Sequence, residues 1–266
     1  MRRYFTKENK ALVSELVRTD FKLRYQGSIL GYLWSLLRPL LIFLILYIVF
    51  VKLLKLGNGI PHYPVYLLLG IVIWNFFYEM TVQSLGAIVG RGDLIRKISI
   101  PRWIIVVSCS FSALINFAIN LLVVAVFLII NNVSITYEIL WLPLIIVEIY
   151  IFSLGLSLFL SAVFVKFRDV SYIWEVALQA GFYATPILYP LARIHSVTIQ
   201  KLLLINPMAQ SIQAARYVTV TNQAVTARSI SSSLFYQLIP FVIILVTFIV
   251  GVIYFRNQSK SFAENI

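Results

Sequence analysis

Charge is scarce in this chain. Charged residues make up 12% of its 266 positions, against about 25% in a soluble globular domain, while 61% are hydrophobic. So few charges cannot cover a water-facing surface, which excludes a soluble enzyme, a disordered chain and a collagen-like fibre. Cysteine is nearly absent. Cys109 stands alone inside an apolar run, so there is neither an intrachain disulfide nor a CxxC metal or redox motif. No glycine precedes a lysine, so the Gly-x-x-x-x-Gly-Lys-[Ser/Thr] phosphate loop is missing. No His, Cys, Asp and Glu set has metal-ligand spacing, and His62 and His195 read as surface residues of outer loops. A GxSxG elbow and a close carboxylate pair are also missing, which argues against hydrolysis. The halves show no inverted repeat of the kind that marks secondary transporters. A chain with this composition cannot energise uphill transport by itself and needs a separate motor.

What is present is apolar length. Six segments read as membrane-spanning helices: residues 36–56, 64–88, 103–130, 139–165, 172–189 and 238–255. Their runs are continuous rather than alternating, so an all-α integral membrane fold is expected and not a barrel. The third and sixth are the clearest, since no charge occurs from Trp103 to Tyr137 or from Ser229 to Phe255. Sixteen of the 22 lysines and arginines fall on one side of this topology and six on the other. Cytoplasmic loops carry the excess of basic residues, so both termini are expected in the cytoplasm. Four of the first ten residues are basic, with no apolar core before Leu33, so a cleavable signal is not expected. The organisation reads as an amphipathic N-terminal segment (1–32), a six-span domain (33–257) and a short cytoplasmic tail (258–266).

Several segments ask for more than a span. At 100° per residue, residues 5–22 place Phe5, Leu12, Val13, Leu16, Val17 and Phe21 on one side and Lys7, Ser14, Glu15, Arg18 and Lys22 on the other. Such a helix suits the membrane interface, although Asn9, Lys10 and Asp20 interrupt its apolar side. The loop 91–102 holds Arg91, Arg96, Lys97 and Arg102 beside Leu94, Ile95, Ile98 and Ile100. It reads either as a topogenic basic loop or as a short helix docking on a soluble partner. Pro186 and Pro190 should break the fifth helix near its outer end. Residues 199–205 and 212–220, with Asn206-Pro207 between them, are amphipathic and too short to cross. They are expected as re-entrant or interfacial outer helices, that is, a gate. Glu79, Gln83, Asn116, Asn120, Glu148 and Glu175 are polar residues within spans, for which helix packing is the simpler role. Gly86 and Gly90 have small-xxx-small spacing.

In order, Asp20-Phe-Lys-Leu-Arg-Tyr-Gln-Gly-Ser-Ile-Leu-Gly-Tyr-Leu-Trp34, Arg38-Pro39, Phe167-Arg-Asp-Val170, Ala184-Thr-Pro-Ile-Leu-Tyr-Pro190 and Asn206-Pro207 resemble permeases of the type-2 ABC transporter family. The branch they are most similar to exports lipid-linked polysaccharide such as O-antigen, teichoic acid or capsule. The resemblance covers essentially the whole chain and also implies six spans with both termini inside. It implies a homodimer in the bacterial cytoplasmic membrane with two ATP-binding cassette subunits. ATP and Mg would be bound by those subunits, with no cofactor in this chain and no nucleic-acid partner. By the same resemblance Arg91, Asp93, Leu94, Ile95, Arg96, Lys97, Ile98 and Arg102 would supply ATPase coupling. The outer helices around 186–220 would form the gate for a lipid-linked glycan whose lipid stays in the membrane. Sugars stack on aromatic faces, and 19 Phe, 15 Tyr and 5 Trp are present. Tyr32, Trp34, Tyr47, Phe182, Tyr183 and Tyr189, with Pro186 and Pro190, are the candidates for pore or gate. A permease for a small hydrophobic drug or lipid, and a membrane scaffold without transport activity, remain as alternatives.

Overall fold

A computed structural model describes residues 7–25, 31–55, 57, 59–97 and 100–262, without the side chains of residues 7, 8, 23–25, 32, 96 and 97. Among the described residues every regular element is helical. In chain order the α-helices are α1 (Lys7–Tyr25), α2 (Trp34–Leu46), α3 (Tyr63–Gly90), α4 (Gly92–Lys97), α5 (Trp103–Ile130), α6 (Leu142–Lys166), α7 (Val170–Ala184), α8 (Val197–Ile205), α9 (Pro207–Thr219), α10 (Ala227–Ile230) and α11 (Leu234–Gln258).

Among the described residues, five stretches are long and apolar enough to cross a membrane: Trp34–Leu53, Tyr63–Gly90, Trp103–Ile130, Tyr137–Lys166 and Leu234–Ser261. The fifth expected span, residues 172–189, is not among them. Helix α7 has 15 residues, about 22 Å of rise against ~30 Å of hydrocarbon. It stops at Ala184 because Pro186 drives the residue before it out of the helical region, and Thr185 is extended at φ −84°, ψ 137°. The break was legible in the sequence, but its effect begins five residues earlier than the expected end at 189.

Helix α3 is the centre of the fold. It is apolar all round and buried along most of its length, packed between α5 and α6, and α6 in turn carries α11. The α6–α11 contact is made by two glycines. A methyl at Gly155 would come 2.6 Å from the Phe248 backbone, and one at Gly251 would fall on the Gly155 carbonyl. Gly86 and Gly90, the pair noted in the sequence, face open space.

By contrast α2 buries only Pro39 and Phe43. Pro39 cannot donate to the Ser35 carbonyl four residues back. Asn120 of α5 supplies a donor there at 3.4 Å and also bonds the Asn116 carbonyl at 2.8 Å. After Leu46 the helix widens into a π-helical stretch, Tyr47–Leu53.

The bundle has two distinct ends. At one, Ile88 of α3, Ile105 and Val106 of α5, Ala162 and Val165 of α6 and Phe255 of α11 form one apolar cluster with Phe262. This end also carries α4, and α1 reaches it along α5. At the other end lie the starts of α3 and α6 with α8, α9 and α10. Three of the longer helices start with proline in their first turn: Pro64 in α3, Pro143 in α6 and Pro207 in α9.

Candidate functional site

The end formed by α8–α10 is organised around Arg216. Sequence patterning predicted helices over 199–205 and 212–220. The structure has α8 and the longer α9, separated by Asn206, which caps α9 by accepting from the Met208 N–H at 3.0 Å. Arg216 then projects from α9 into the core with no exposed surface. Its Nε donates to the Tyr66 carbonyl at 2.9 Å and its Nη2 to the Ile187 carbonyl at 2.8 Å. Its Nη1 donates to the Pro186 carbonyl at 2.5 Å and to Gln213 Oε1 at 3.1 Å. The guanidinium lies 3.7 Å from the centre of the Tyr66 ring, whose hydroxyl donates to the same Gln213 oxygen at 2.9 Å.

Burial pulls the Arg216 pKa below the ordinary guanidinium value, opposed by the phenols of Tyr66 and Tyr63. A guanidinium has ample margin to stay charged. Gly70 makes room for it, since a methyl there would collide with Nη2.

The residues Arg216 holds are those of the proline break. Thr185, Pro186, Ile187 and Leu188 are all buried, and Tyr63 donates to the Leu188 carbonyl at 2.7 Å. A segment that cannot be helical leaves its carbonyls free, and here they are satisfied by a planar five-donor side chain and a phenol. Glu148 of α6 accepts from Ser211 of α9 at 3.0 Å, tying the same unit to the bundle. The composition counted Arg216 only as one outer basic residue. The signal for its role was an arginine on the apolar side of a short helix, with glycine at 70 to admit it.

Other expected pore or gate residues are distributed around this unit. Phe182 packs edge-on against Trp74 at 6.0 Å, Tyr183 is exposed, and Tyr189 donates to the Ala184 carbonyl at 3.2 Å. Pro186 and Pro190 are buried. Trp34 is exposed at the start of α2, and Tyr47 sits 5.8 Å from Phe43 where the π-helical stretch begins. Helix α2 packs on α3 and α5, whereas α7 packs on α3 and α6. The Tyr32 side chain lies outside the described residues.

At the opposite end, the loop read either as a topogenic basic loop or as a short docking helix holds the six-residue α4. In α4, Asp93 is exposed while Leu94 and Ile95 are half-buried, and Ile95 and Ile100 pack on the bundle's own apolar cluster. The Arg96 and Lys97 side chains and Ile98 lie outside the described residues. Arg91 pairs with Asp20 of α1 and donates to Cys109 Sγ at 3.7 Å, and Arg102 donates to the Ser259 carbonyl. Burial works against the Arg91 charge, but the Cys109 sulfur and Asp20 outweigh it and raise its pKa.

Asp20, one of the three residues that interrupt the apolar side of α1, therefore joins α1 to the loop. That side of α1 packs on α5. Within the bundle, Glu79 accepts from Gln83 and from Asn116, each at 2.6 Å, so these groups join α3 to α5. Glu175, in contrast, is exposed on α7.

A bundle of long apolar helices with a basic end and a set of short capped helices at the other defines a multi-pass membrane protein. Residues 11–220 match the ABC-2 type transporter family. The chain is 32% identical over 212 residues to the O-antigen export system permease protein RfbA of Myxococcus xanthus, covering 78% of this chain and 81% of that protein. The protein of the same name from Klebsiella pneumoniae is 32% identical over 179 residues, covering 67% and 68%. The polysialic acid transport protein KpsM of Escherichia coli is 24% identical over 255 residues, covering 95% of each. The chain belongs to the ABC-2 type transporter family.

Proposed function

We propose that this chain is the permease subunit of an ATP-driven exporter that moves a lipid-linked polysaccharide across the bacterial cytoplasmic membrane. It works as a homodimer with two ATP-binding cassette subunits that bind ATP and Mg and carry out hydrolysis. Family membership and the names of its relatives support this reading.

The observation that carries the pore is the surface of α7. Tyr172, Ile173, Val176 and Tyr183 are exposed there, and so are Glu175 and Gln179, one helical turn apart. A carboxylate and an amide facing hydrocarbon would be costly. They fit a helix that faces a second copy and a wet channel between the two. In this reading α7 and the largely buried 185–190 segment together form the fifth crossing, and α8 and α9 are re-entrant from outside. Aromatic side chains Trp34, Tyr47, Phe182, Tyr183 and Tyr189, with Tyr32, offer stacking faces to passing sugars.

The end carrying α4 is cytoplasmic, because the excess of basic residues belongs there. Asp93, Leu94, Arg96, Lys97 and Ile98 present α4 and its loop to the ATP-binding subunit. Arg91 and Arg102 anchor that loop, to α1 and to the end of α11 respectively. Movement of α4 would thus be passed to α1, beside the membrane interface where the lipid enters, and to α5.

The test is complementation. A strain deleted for this permease is expected to accumulate lipid-linked glycan inside and to regain surface polysaccharide when the chain is supplied. Normal surface polysaccharide in the deleted strain would overturn the reading.

A further inference from the structure

Two cavities adjoin at the end opposite α4. One, of about 540 Å³, is bordered by Glu138 and Trp141 ahead of α6, Tyr217 of α9, and Thr226, Arg228 and Ser229 at α10. The other, of about 170 Å³, runs on from Tyr217 to His62, Ser134, Thr136 and Asn222. They share Tyr217 and Val218, so they form one trough, and the larger part lies within the ~300–1,000 Å³ range of small-molecule sites. The geometry points to a glycan-binding trough on the outer face, separate from the pore, that takes pyranose units of the exported chain. This inference rests on the polysaccharide-export reading and adds a site to it.

The chemistry selects a sugar over the other occupants of a membrane surface. Trp141 is 61% exposed and Tyr217 half-buried, which leaves aromatic faces for the C–H face of a pyranose. Glu138 has one carboxylate oxygen, Oε2, that is buried and has no hydrogen-bond partner. Such an acceptor is costly to leave unmet, and a sugar hydroxyl would meet it. A purely apolar ligand would not, and a phosphate headgroup would be repelled by it. Arg228 is exposed and forms no ion pair with Glu138 among the described residues, which leaves its donors for other hydroxyls of the same sugar.

The rim is fixed in place. Thr226 and Ser229 form a reciprocal cap, with Ser229 N–H donating to Thr226 Oγ1 at 3.3 Å and Thr226 N–H to Ser229 Oγ at 3.0 Å. The smaller cavity adds hydroxyl, imidazole and amide groups beside Pro61, Val218 and Val220, a mixed lining that suits the next unit of a polymer.

The experiment is binding of a panel of methyl pyranosides and short homo-oligosaccharides to the purified full-length chain. The detergent must not be a glycoside, and saturation-transfer NMR is the readout. At least one member of the panel is expected to bind. Trp141→Ala should weaken it about five- to tenfold and Glu138→Gln should weaken it less, while Phe235→Ala, exposed at the same end, should leave it unchanged. Unchanged thermal transitions would show that both variants fold.

Three results would each overturn the trough: no panel member binding above the detergent blank, binding indifferent to both substitutions, or displacement of the sugar by short-chain phosphatidylglycerol that binds more tightly after Glu138→Gln. None of these readouts needs the ATP-binding subunit or export. Binding without complementation would therefore sink the export reading alone, and complementation without binding would sink the trough alone.

Discussion

Arg216 and Arg91 are both withdrawn from bulk water, and they are held in opposite ways. Arg216 has no exposed surface, and each of its hydrogen bonds runs to an uncharged oxygen: three backbone carbonyls and one amide. Arg91 keeps 20% of its side chain exposed and pairs with a carboxylate on another helix that is equally exposed. The first arrangement locks α9 onto the backbone of α3 and of the proline break. The second joins α1 to the α4 loop through a contact whose two halves can separate into water at modest cost. In the proposed mechanism one end of the molecule holds its shape, and the other transmits a movement.

Substitution of Arg216 is the harshest test of that contrast. Arg216→Met leaves the Pro186 and Ile187 carbonyls unmet, and should lower stability on the order of 3–5 kcal/mol, seen as a depressed thermal transition of the purified chain. Arg216→Lys should recover only part of the loss, because a point charge cannot reach carbonyls on both sides as a planar fork does. A transition unchanged by Arg216→Met would remove the lock from the account.

Gly70→Val attacks the same lock from the other wall. Its side chain would occupy the space of Nη2, with an expected cost of about 1–3 kcal/mol. Combined with Arg216→Met the two costs should be far from additive, since they remove one contact.

Asp20→Asn is expected to cost the fold no more than about 1 kcal/mol. Its larger effect should be functional. The ATP-binding subunit should still bind, while its hydrolysis becomes less responsive to lipid-linked glycan. A loss of stability as large as that of Arg216→Met, with responsiveness intact, would reverse the roles assigned to the two ends.

Much of the fold was legible because its causes are local. The uncharged runs mark α5 and α11, and Asn206-Pro207 marks the joint between α8 and α9 through a cap and a helix-starting proline. Pro186 marks the break after α7, although its reach back through Thr185 shortened the helix beyond what residue pattern conveyed. The site was less legible. The partners of Arg216 are backbone carbonyls about 30 and 150 residues away, and a carbonyl leaves no trace in residue identity. The Asp20 pairing was visible only as a flaw in an amphipathic pattern. The close α6–α11 contact fell to Gly155 and Gly251, which share no local motif, rather than to the spaced pair Gly86 and Gly90.

The central claim is that this chain conducts and does not burn fuel. The direct measurement is ATP hydrolysis and glycan crossing in vesicles that hold the chain alone, the chain with its ATP-binding subunit, or the subunit alone. The account predicts no hydrolysis from the chain by itself and ATP-dependent crossing only when both are present. Hydrolysis by the isolated chain, or crossing without the partner, would contradict it.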